Sequence, residues 1–310
     1  MKFAVYLDCL PKKAQGDRKY EILSRYASGV KALGDELILH SGNSLVPADV
    51  AMIVGFVHEN SKNTPHLMLR KNVLDYLANN KKRTLMADSN LFLYSNTDNP
   101  HYYLRYSFDG VFPNTGTYFD DAPDPDRWKK ISSEMNISLK DYRKDGSHIL
   151  LCLQRNGGWS MGKYDVIDWT AETIKTLKKY TNRPIIIRPH PGDREAGRYL
   201  NPVSLMKKIG NLKDVRVSRE PNFLRDLKHC WAVVNYNSSP AVGAAIEGFP
   251  VFVTDPERSQ AGEIANTDLS KIENPTLPDR QQWIERLAMF HWSFKEIESG
   301  EAWSHMRKYV

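Results

Sequence analysis

The second half of this chain carries short apolar runs that are continuous rather than alternating: HILLCLQ (148–154), PIIIRPH (184–190), WAVVNY (231–236) and PVFVTD (250–255). A strand wetted on one side alternates apolar with polar residues. A continuous run belongs to a strand covered on both faces, as in a parallel sheet between helices. VRVSR (215–219) adds a further strand, and VIDWTAETIKTLKKY, PVSLMKKIG, NFLRDLKH and SPAVGAAIEG supply helical stretches between the runs. Strands alternating with helices imply parallel pairing through right-handed crossovers. The first half shows the same pattern. KFAVYL, ELILH, DVAMIVGF and RTLMAD read as strands, and KYEILSRYASGVKAL and HLMLRKNVLDYLANN as helices. YYLRYSFDGVF is a further strand or hairpin, a helix is expected around Arg127–Met135, and Asp279–Val310 reads as two helices broken near Ser299-Gly300.

With 310 residues, two ordinary domains fit. The polar stretch at 140–148 is the expected linker. The expected division is an N-terminal Rossmann-like domain over 1–145, a C-terminal Rossmann-like domain over 146–280, and terminal helices over 281–310 packing across both. In such α/β pairs ligands bind in a cleft between domains, at the carboxyl ends of the strands. No run approaches the ~20 apolar residues of a transmembrane helix. The N-terminal apolar run is interrupted by Asp8 and reads as a strand rather than a leader. Cys9, Cys152 and Cys230 make no CxxC pair, which suits a reducing compartment, and a cytoplasmic location is expected. A net charge of +6 permits an anionic partner without requiring one.

Three constellations follow strands of the second half. Arg188-Pro189-His190-Pro191-Gly192 ends PIIIRPH, where a guanidinium fork and an imidazole suit a phosphate; a rigid surface turn explains the prolines equally well. Asn235-Tyr236-Asn237-Ser238-Ser239-Pro240 opens a helix with N-cap residues, and the same helix start offers N–H groups to an anion. Glu247, near the end of that helix, is placed to reach a sugar hydroxyl or to be solvated. Gln154-Arg155-Asn156-Gly157-Gly158-Trp159-Ser160 follows HILLCLQ, where paired glycines let a ligand approach the backbone; an ordinary βα turn explains them equally well. There is no GxGxxG after a strand, no P-loop, no HExxH and no paired carboxylate spacing of glycosidases.

IIIRPHPGD, followed some fifty residues later by VVNYNSSPAVGAAIEGFPVFV, resembles the HP and S/SS motifs of GT-B glycosyltransferases of bacterial capsule synthesis, which include polysialyltransferases and Kdo transferases. The resemblance covers Gln154–Asp255 and the terminal LAMFHWSFKEIESGEAW. It implies two Rossmann-like domains facing across a cleft and a nucleotide-sugar donor, such as a UDP-sugar or CMP-sugar, with no metal. It also implies that His190 contacts the donor phosphate and assists leaving-group departure, that Ser238 and Ser239 bind the same phosphate, and that Arg188 adds a contact. Gln154, Arg155, Asn156, Gly157 and Glu247 complete the expected donor site. The first half has no matching motif.

A transferred sugar needs a base for the acceptor hydroxyl. Asp88, at the end of RTLMAD, is the first choice, then Asp109, then Asp8. Basic pairs of the first half, Lys12-Lys13, Arg18-Lys19, Arg70-Lys71 and Lys81-Lys82-Arg83, are solvated helix ends or a groove for phosphates. Tyr102, Tyr103, Tyr106 and Phe108 are core residues or a stacking platform for a flipped base. The leading reading is a glycosyltransferase whose acceptor is 5-hydroxymethylcytosine in phage DNA, of arabinosyl- or glucosyltransferase type, with Lys81, Lys82, Arg83 and Asp109 on the acceptor side. This soluble, membrane-free chain also resembles such phage enzymes in its compactness and mild basicity. The alternatives are a capsule or lipopolysaccharide transferase with a glycan acceptor, and a non-catalytic nucleotide-sugar-binding protein.

Overall fold

A computed structural model describes the chain except residues 12–17, 58–62, 95–98, 117–121, 157–158, 163, 201–206 and 211–213. Among the described residues the strands are β1 (Lys2–Tyr6), β2 (Glu36–His40), β3 (Val50–Val54), β4 (Arg83–Asp88), β5 (Leu104–Phe108), β6 (His148–Cys152), β7 (Ile185–Arg188), β8 (Val215–Val217), β9 (Cys230–Asn235), β10 (Val251–Val253) and β11 (His291–Trp292). They form two α/β units. The first holds Met1–Asn90, Asn99–Met135 and Ile284–Val310; the second holds Leu91–Asp98 and Asn136–Trp283.

In the first unit the sheet order is β11-β5-β4-β3-β1-β2. β1, β2, β3 and β4 are parallel, and β3, whose sequence VAMIV is wholly apolar, is buried along its length. The helices Arg18–Ala32 and Pro65–Asn79 make the crossovers, each burying an apolar stripe that includes Leu23, Tyr26 and Val30 on the first and Leu69, Val73 and Leu77 on the second. β5 departs from the expected all-parallel pairing and runs antiparallel to β4. A parallel return needs a crossover, usually a helix. Among the described residues the connection from β4 to β5 carries none.

The second unit has the order β10-β9-β6-β7-β8 with every pairing parallel. Ile149, Leu151, Ile185, Ile187, Ala232 and Val234 point to one face of it, where they meet Trp169, Ile174 and Leu177 of the helix Val166–Leu177. The helix expected at 202–210 falls mostly outside the described residues. NFLRDLKH forms a single turn, Phe223–Asp226, capped by Asn222. Residues 136–145 group with this unit: Lys140 and Arg143 donate their N–H groups to the carbonyls of Ile246 and Gly248, and Arg280 stacks on Tyr142.

The terminal region has three helices, Gln281–Met289, Phe294–Ser299 and Glu301–Met306, rather than two, with β11 between the first and second. The break falls at Gly300, whose φ of 89° is left-handed. From Ile284 onward the segment groups with the first unit, because β11 pairs antiparallel with β5. The capping box Ser293/Glu296 starts the second of these helices. Glu296 also accepts from Arg127 Nη1 at 2.5 Å and from Lys130 Nζ at 2.5 Å, while Arg127 stacks on Trp292. Burial pushes the Glu296 carboxyl up, but Arg127, Lys130 and the Ser293 N–H outweigh it and hold it at about 2.

Removing one partner of such a buried pair costs roughly 3–5 kcal/mol. Glu296→Ala should lower the thermal midpoint accordingly. The lowered carboxyl contributes stability that is full above its unfolded value near 4.5 and fades as pH falls towards 2. Glu296→Gln should therefore flatten the fall of the melting temperature over that acid window, read by circular dichroism melts at stepped pH.

Candidate functional site

Parallel strands end on the same side of a sheet, so the segments following β6, β7, β9 and β10 all leave from one edge of the second unit. The chain winds from β6 through β7 to β8 on one side, and β9 and β10 lie on the other. The neighbours β6 and β9 therefore mark the point where the winding reverses, which in open α/β sheets opens a crevice at the carboxyl ends.

Two amides meet there. Gln154, just past β6, is 4% exposed and donates to Ser160 Oγ and to Asn237 Oδ1, each at 2.6 Å. Asn237, past β9, donates to the Ser160 carbonyl at 3.1 Å and to Asp255 Oδ2 at 2.8 Å. Asp255, past β10, also accepts from Arg258 Nε at 2.7 Å, and Arg258 reaches the Tyr236 hydroxyl at 3.3 Å. Beside this chain three buried polar atoms, Gln154 Oε1, Asn235 Oδ1 and Ser238 Oγ, have no partner among the described residues. An unmade hydrogen bond on a buried polar atom costs about 1–3 kcal/mol, and native proteins leave few of them without a function or a bound water.

His190 stands in the turn after β7. Its Nδ1 accepts from the Gly192 N–H at 2.9 Å, so that nitrogen is unprotonated and Nε2 carries the hydrogen. The ring keeps an edge in solvent, yet the packed turn desolvates it and the Arg155 guanidinium adds repulsion; together they lower its pKa despite Asp193. Asp193 locks this turn to the preceding loop, accepting from the Asn156 N–H at 2.9 Å and from the Tyr199 hydroxyl. Burial raises the Asp193 pKa, but the donors Tyr199, Asn156 and Glu195 lower it further. The site thus places a neutral imidazole N–H and the exposed Arg155 on one rim. Gly157 and Gly158 lie outside the described residues.

Arg188 is placed differently from its neighbour. Its guanidinium is ion-paired with buried Asp226 and donates to the Glu220 carbonyl at 3.0 Å. Asp226 in turn accepts from Ser218 Oγ at 2.5 Å. Arg188 thereby fastens the turn Phe223–Asp226 to β7, with its charge already matched.

Ser239 sits at the N-cap of the helix Pro240–Ile246, in helical rather than extended backbone, and its hydroxyl caps nothing. Among the described residues the N–H groups of Ser238 and Ser239 have no acceptor. Glu247 closes the other end of this helix and accepts from Tyr94 Oη at 2.9 Å and from Lys140. Tyr94 lies directly on Gly243, where a Cβ would come within 2.3 Å of its ring. Glu247 therefore anchors residues 94 and 140 a helix length from Ser239, and the structure does not bring it to the rim.

In the first unit Asp88 does stand at the carboxyl end of β4, ion-paired with Arg105. Asp8 accepts from the Gly42 N–H at 2.5 Å. Lys81 and Lys82 precede the same strand and Arg83 opens it, so all three lie at its amino end. Asp109 joins them there, because β5 is antiparallel: it accepts from Arg83 Nε at 2.6 Å and from the Thr84 N–H at 2.8 Å. Lys82 pairs with Asp49 at 2.6 Å. Five strand steps of about 3.3 Å separate Arg83 from Asp88. These acceptor-side residues thus do not share an edge with the candidate base. Tyr103, Tyr106 and Phe108 are wholly buried, which makes them core rather than a stacking platform, and Tyr102 packs on Phe294. Lys12 and Lys13 lie outside the described residues.

Ser160, the last residue of the stretch expected after HILLCLQ, does join this network, and the residues that sequence reasoning passed over are Asp193, Asp255 and Arg258. Their only signal was position: each falls within the loops that follow the buried strands.

No protein-family model matches the chain, and no curated protein matches it either. Solved structures do. The chain superposes on the β-Kdo 2,4-transferase of Thermosulfurimonas dismutans KpsC with a TM-score of 0.55 at 13% identity, covering 94% of this chain and 92% of that one. For the β-Kdo 2,7-transferase of the same protein the values are 0.51 and 12%, covering 97% and 99%. The fold is that of the GT-B glycosyltransferases. No described helix is long and apolar enough to cross a membrane.

Nitrogen-detected imidazole NMR should find His190 at pH 7 protonated on Nε2 only, titrating below the ordinary 6.5. Arg155→Ala should raise that midpoint, since it removes a repelling cation. A midpoint at or above 6.5 in the wild-type chain contradicts the neutral-donor assignment.

Proposed function

We propose that this chain is a glycosyltransferase that moves a sugar from a nucleotide-sugar donor to a glycan hydroxyl, of the capsule or lipopolysaccharide type. The observation that carries the reading is the set of buried polar atoms of Gln154, Asn235 and Ser238, without partners among the described residues, at the crevice of the second unit, with His190 and Arg155 on its rim. A polar ligand, directly or through its waters, supplies the missing partners. The likeness to two Kdo transferases supports the fold, and the HP and S/SS resemblance supports the donor.

In this reading the donor phosphate lies on the rim of the second unit. His190 Nε2–H donates to it, Arg155 offsets its charge, and the Ser238 and Ser239 N–H groups and hydroxyls supply further donors. These contacts strengthen as the anomeric C–O bond breaks and negative charge collects on the departing nucleotide. Because His190 is neutral, it acts as a hydrogen-bond donor to the leaving phosphate. Arg188 contributes through the geometry of the β7 turn. Asp88 is the proposed base: its carboxylate takes the acceptor hydroxyl proton as that oxygen bonds the anomeric carbon. A glycan acceptor is favoured over DNA because Lys82 and Arg83 are paired with Asp49 and Asp109, at the opposite end of β4 from Asp88.

The test is mass spectrometry of glycan acceptors, and of hydroxymethylated DNA, incubated with a panel of UDP- and CMP-sugars. A hexose- or sugar-acid-sized mass increase on a glycan is expected. Label in DNA alone overturns the acceptor, and donor binding without transfer or hydrolysis identifies a binding protein. His190→Ala should cut turnover about 10²–10³-fold. Asp88→Asn should cut it about 10²–10⁴-fold while calorimetry shows nucleotide affinity unchanged. Unchanged turnover in either variant removes that residue from the mechanism.

A further inference from the structure

Among the described residues β2 is an open edge of the first unit's sheet, and its sequence Glu36-Leu37-Ile38-Leu39-His40 has no Pro, no Lys and no bulge; its one carboxylate, Glu36, stands at the first position and pairs with Lys2 at 3.4 Å. Leu39 is 57% exposed. The loop that follows is tied back over β1, through Gly42 N–H to Asp8 and Val46 N–H to the Tyr6 hydroxyl, instead of along the edge.

The backbone of β2 divides cleanly. Glu36 N–H donates to the Met1 carbonyl at 2.9 Å, so Glu36, Ile38 and His40 address β1. Alternate residues face the other way, so the N–H and C=O groups of Leu37 and Leu39 point outward. Among the described residues they meet no partner.

We propose that β2 pairs antiparallel with β2 of a second copy of this chain, about a two-fold axis at Ile38. In that register the outward groups meet one another, whereas a one-residue slip would set them against groups already spent on β1. Leu37 faces Leu39 of the other copy as a hydrogen-bonded pair, so the outward groups of both leucines satisfy each other. Ile38 faces its own equivalent as a non-hydrogen-bonded pair, consistent with its groups being spent on β1. Glu36 faces His40, an acidic group against an imidazole donor. Exposed Leu39 then packs on Leu37 across the interface. A single short strand pair buries less than the ~1,600 Å² of a typical stable interface, so the dimer dissociates on dilution.

Sedimentation velocity over a concentration series should show a reversible monomer–dimer equilibrium. Leu39→Lys should abolish the dimer while far-ultraviolet circular dichroism stays unchanged. Register is read by cross-linking. The Cα atoms of a non-hydrogen-bonded pair lie about 4.5 Å apart, within the disulfide range of about 4.4–6.8 Å. Ile38→Cys should therefore form a covalent dimer under mild oxidation, and Glu36→Cys should cross-link with His40→Cys but poorly with itself. The three native cysteines are buried and give little background. A wild-type chain that stays monomeric at the highest concentration reached overturns the proposal, as does a dimer that survives Leu39→Lys. If that variant does not fold, the cysteine pairs decide: Ile38→Cys cross-linking no faster than Glu36→Cys overturns it.

Discussion

The candidate site depends on one side-chain amide. Asn237 accepts from Gln154 and donates to the Ser160 carbonyl and to Asp255, so it joins the segments that follow β6, β9 and β10. It works beside the Asp193 carboxylate, which ties the β6 and β7 turns, and the backbone bonds from Thr254 and Asp255 to the Tyr236 carbonyl. Gln154 is held with its side-chain oxygen buried and, among the described residues, unmatched, and Asp255 fixes Arg258 and, through it, Tyr236. Buried hydrogen bonds of this kind gain strength in a low-dielectric setting and make partial satisfaction costly. That cost is the physical reason to read the crevice as a place for a ligand.

Charge is distributed unevenly around this edge. Arg188 stands one residue from the turn that carries His190, yet its guanidinium is consumed by Asp226 and by backbone carbonyls. Arg155 stays exposed, and its field helps keep His190 neutral. The same contrast recurs in the first unit, where Glu296 is matched by Arg127 and Lys130. Much of the chain's buried charge therefore fixes strand ends and helix starts, and only a small part is left facing a ligand.

The two sheets differ in how they end. In the second unit every strand is parallel, and the crossovers cover both faces. In the first, β5 and β11 turn back antiparallel at one side, and β2 stands bare at the other. An edge that pairs with its own copy gives the exposed Leu39 of β2 a reason, since an isolated exposed edge with this composition is an association site.

Much was legible in the sequence because burial on both faces imposes continuous apolar runs. The β3, β6, β7 and β9 cores stood out for that reason, as did the amphipathic helices between them and the turns RPHPG and NYNSS that follow. Local chemistry also marked Gly300 as a break. What the sequence could not carry was pairing direction and partnership. The antiparallel β5 moved Asp109 to the amino end of β4, beside Lys81–Arg83 and away from Asp88, although all of them looked alike as charges near strand ends. Two residues were too short a run to announce β11. Arg188 and His190 lie two positions apart, and only tertiary structure gave one of them Asp226, from a turn 38 residues on, and left the other facing outward. A side chain's identity sets what it is able to do, but its available charge and hydrogen bonds are decided by neighbours that folding brings from elsewhere in the chain.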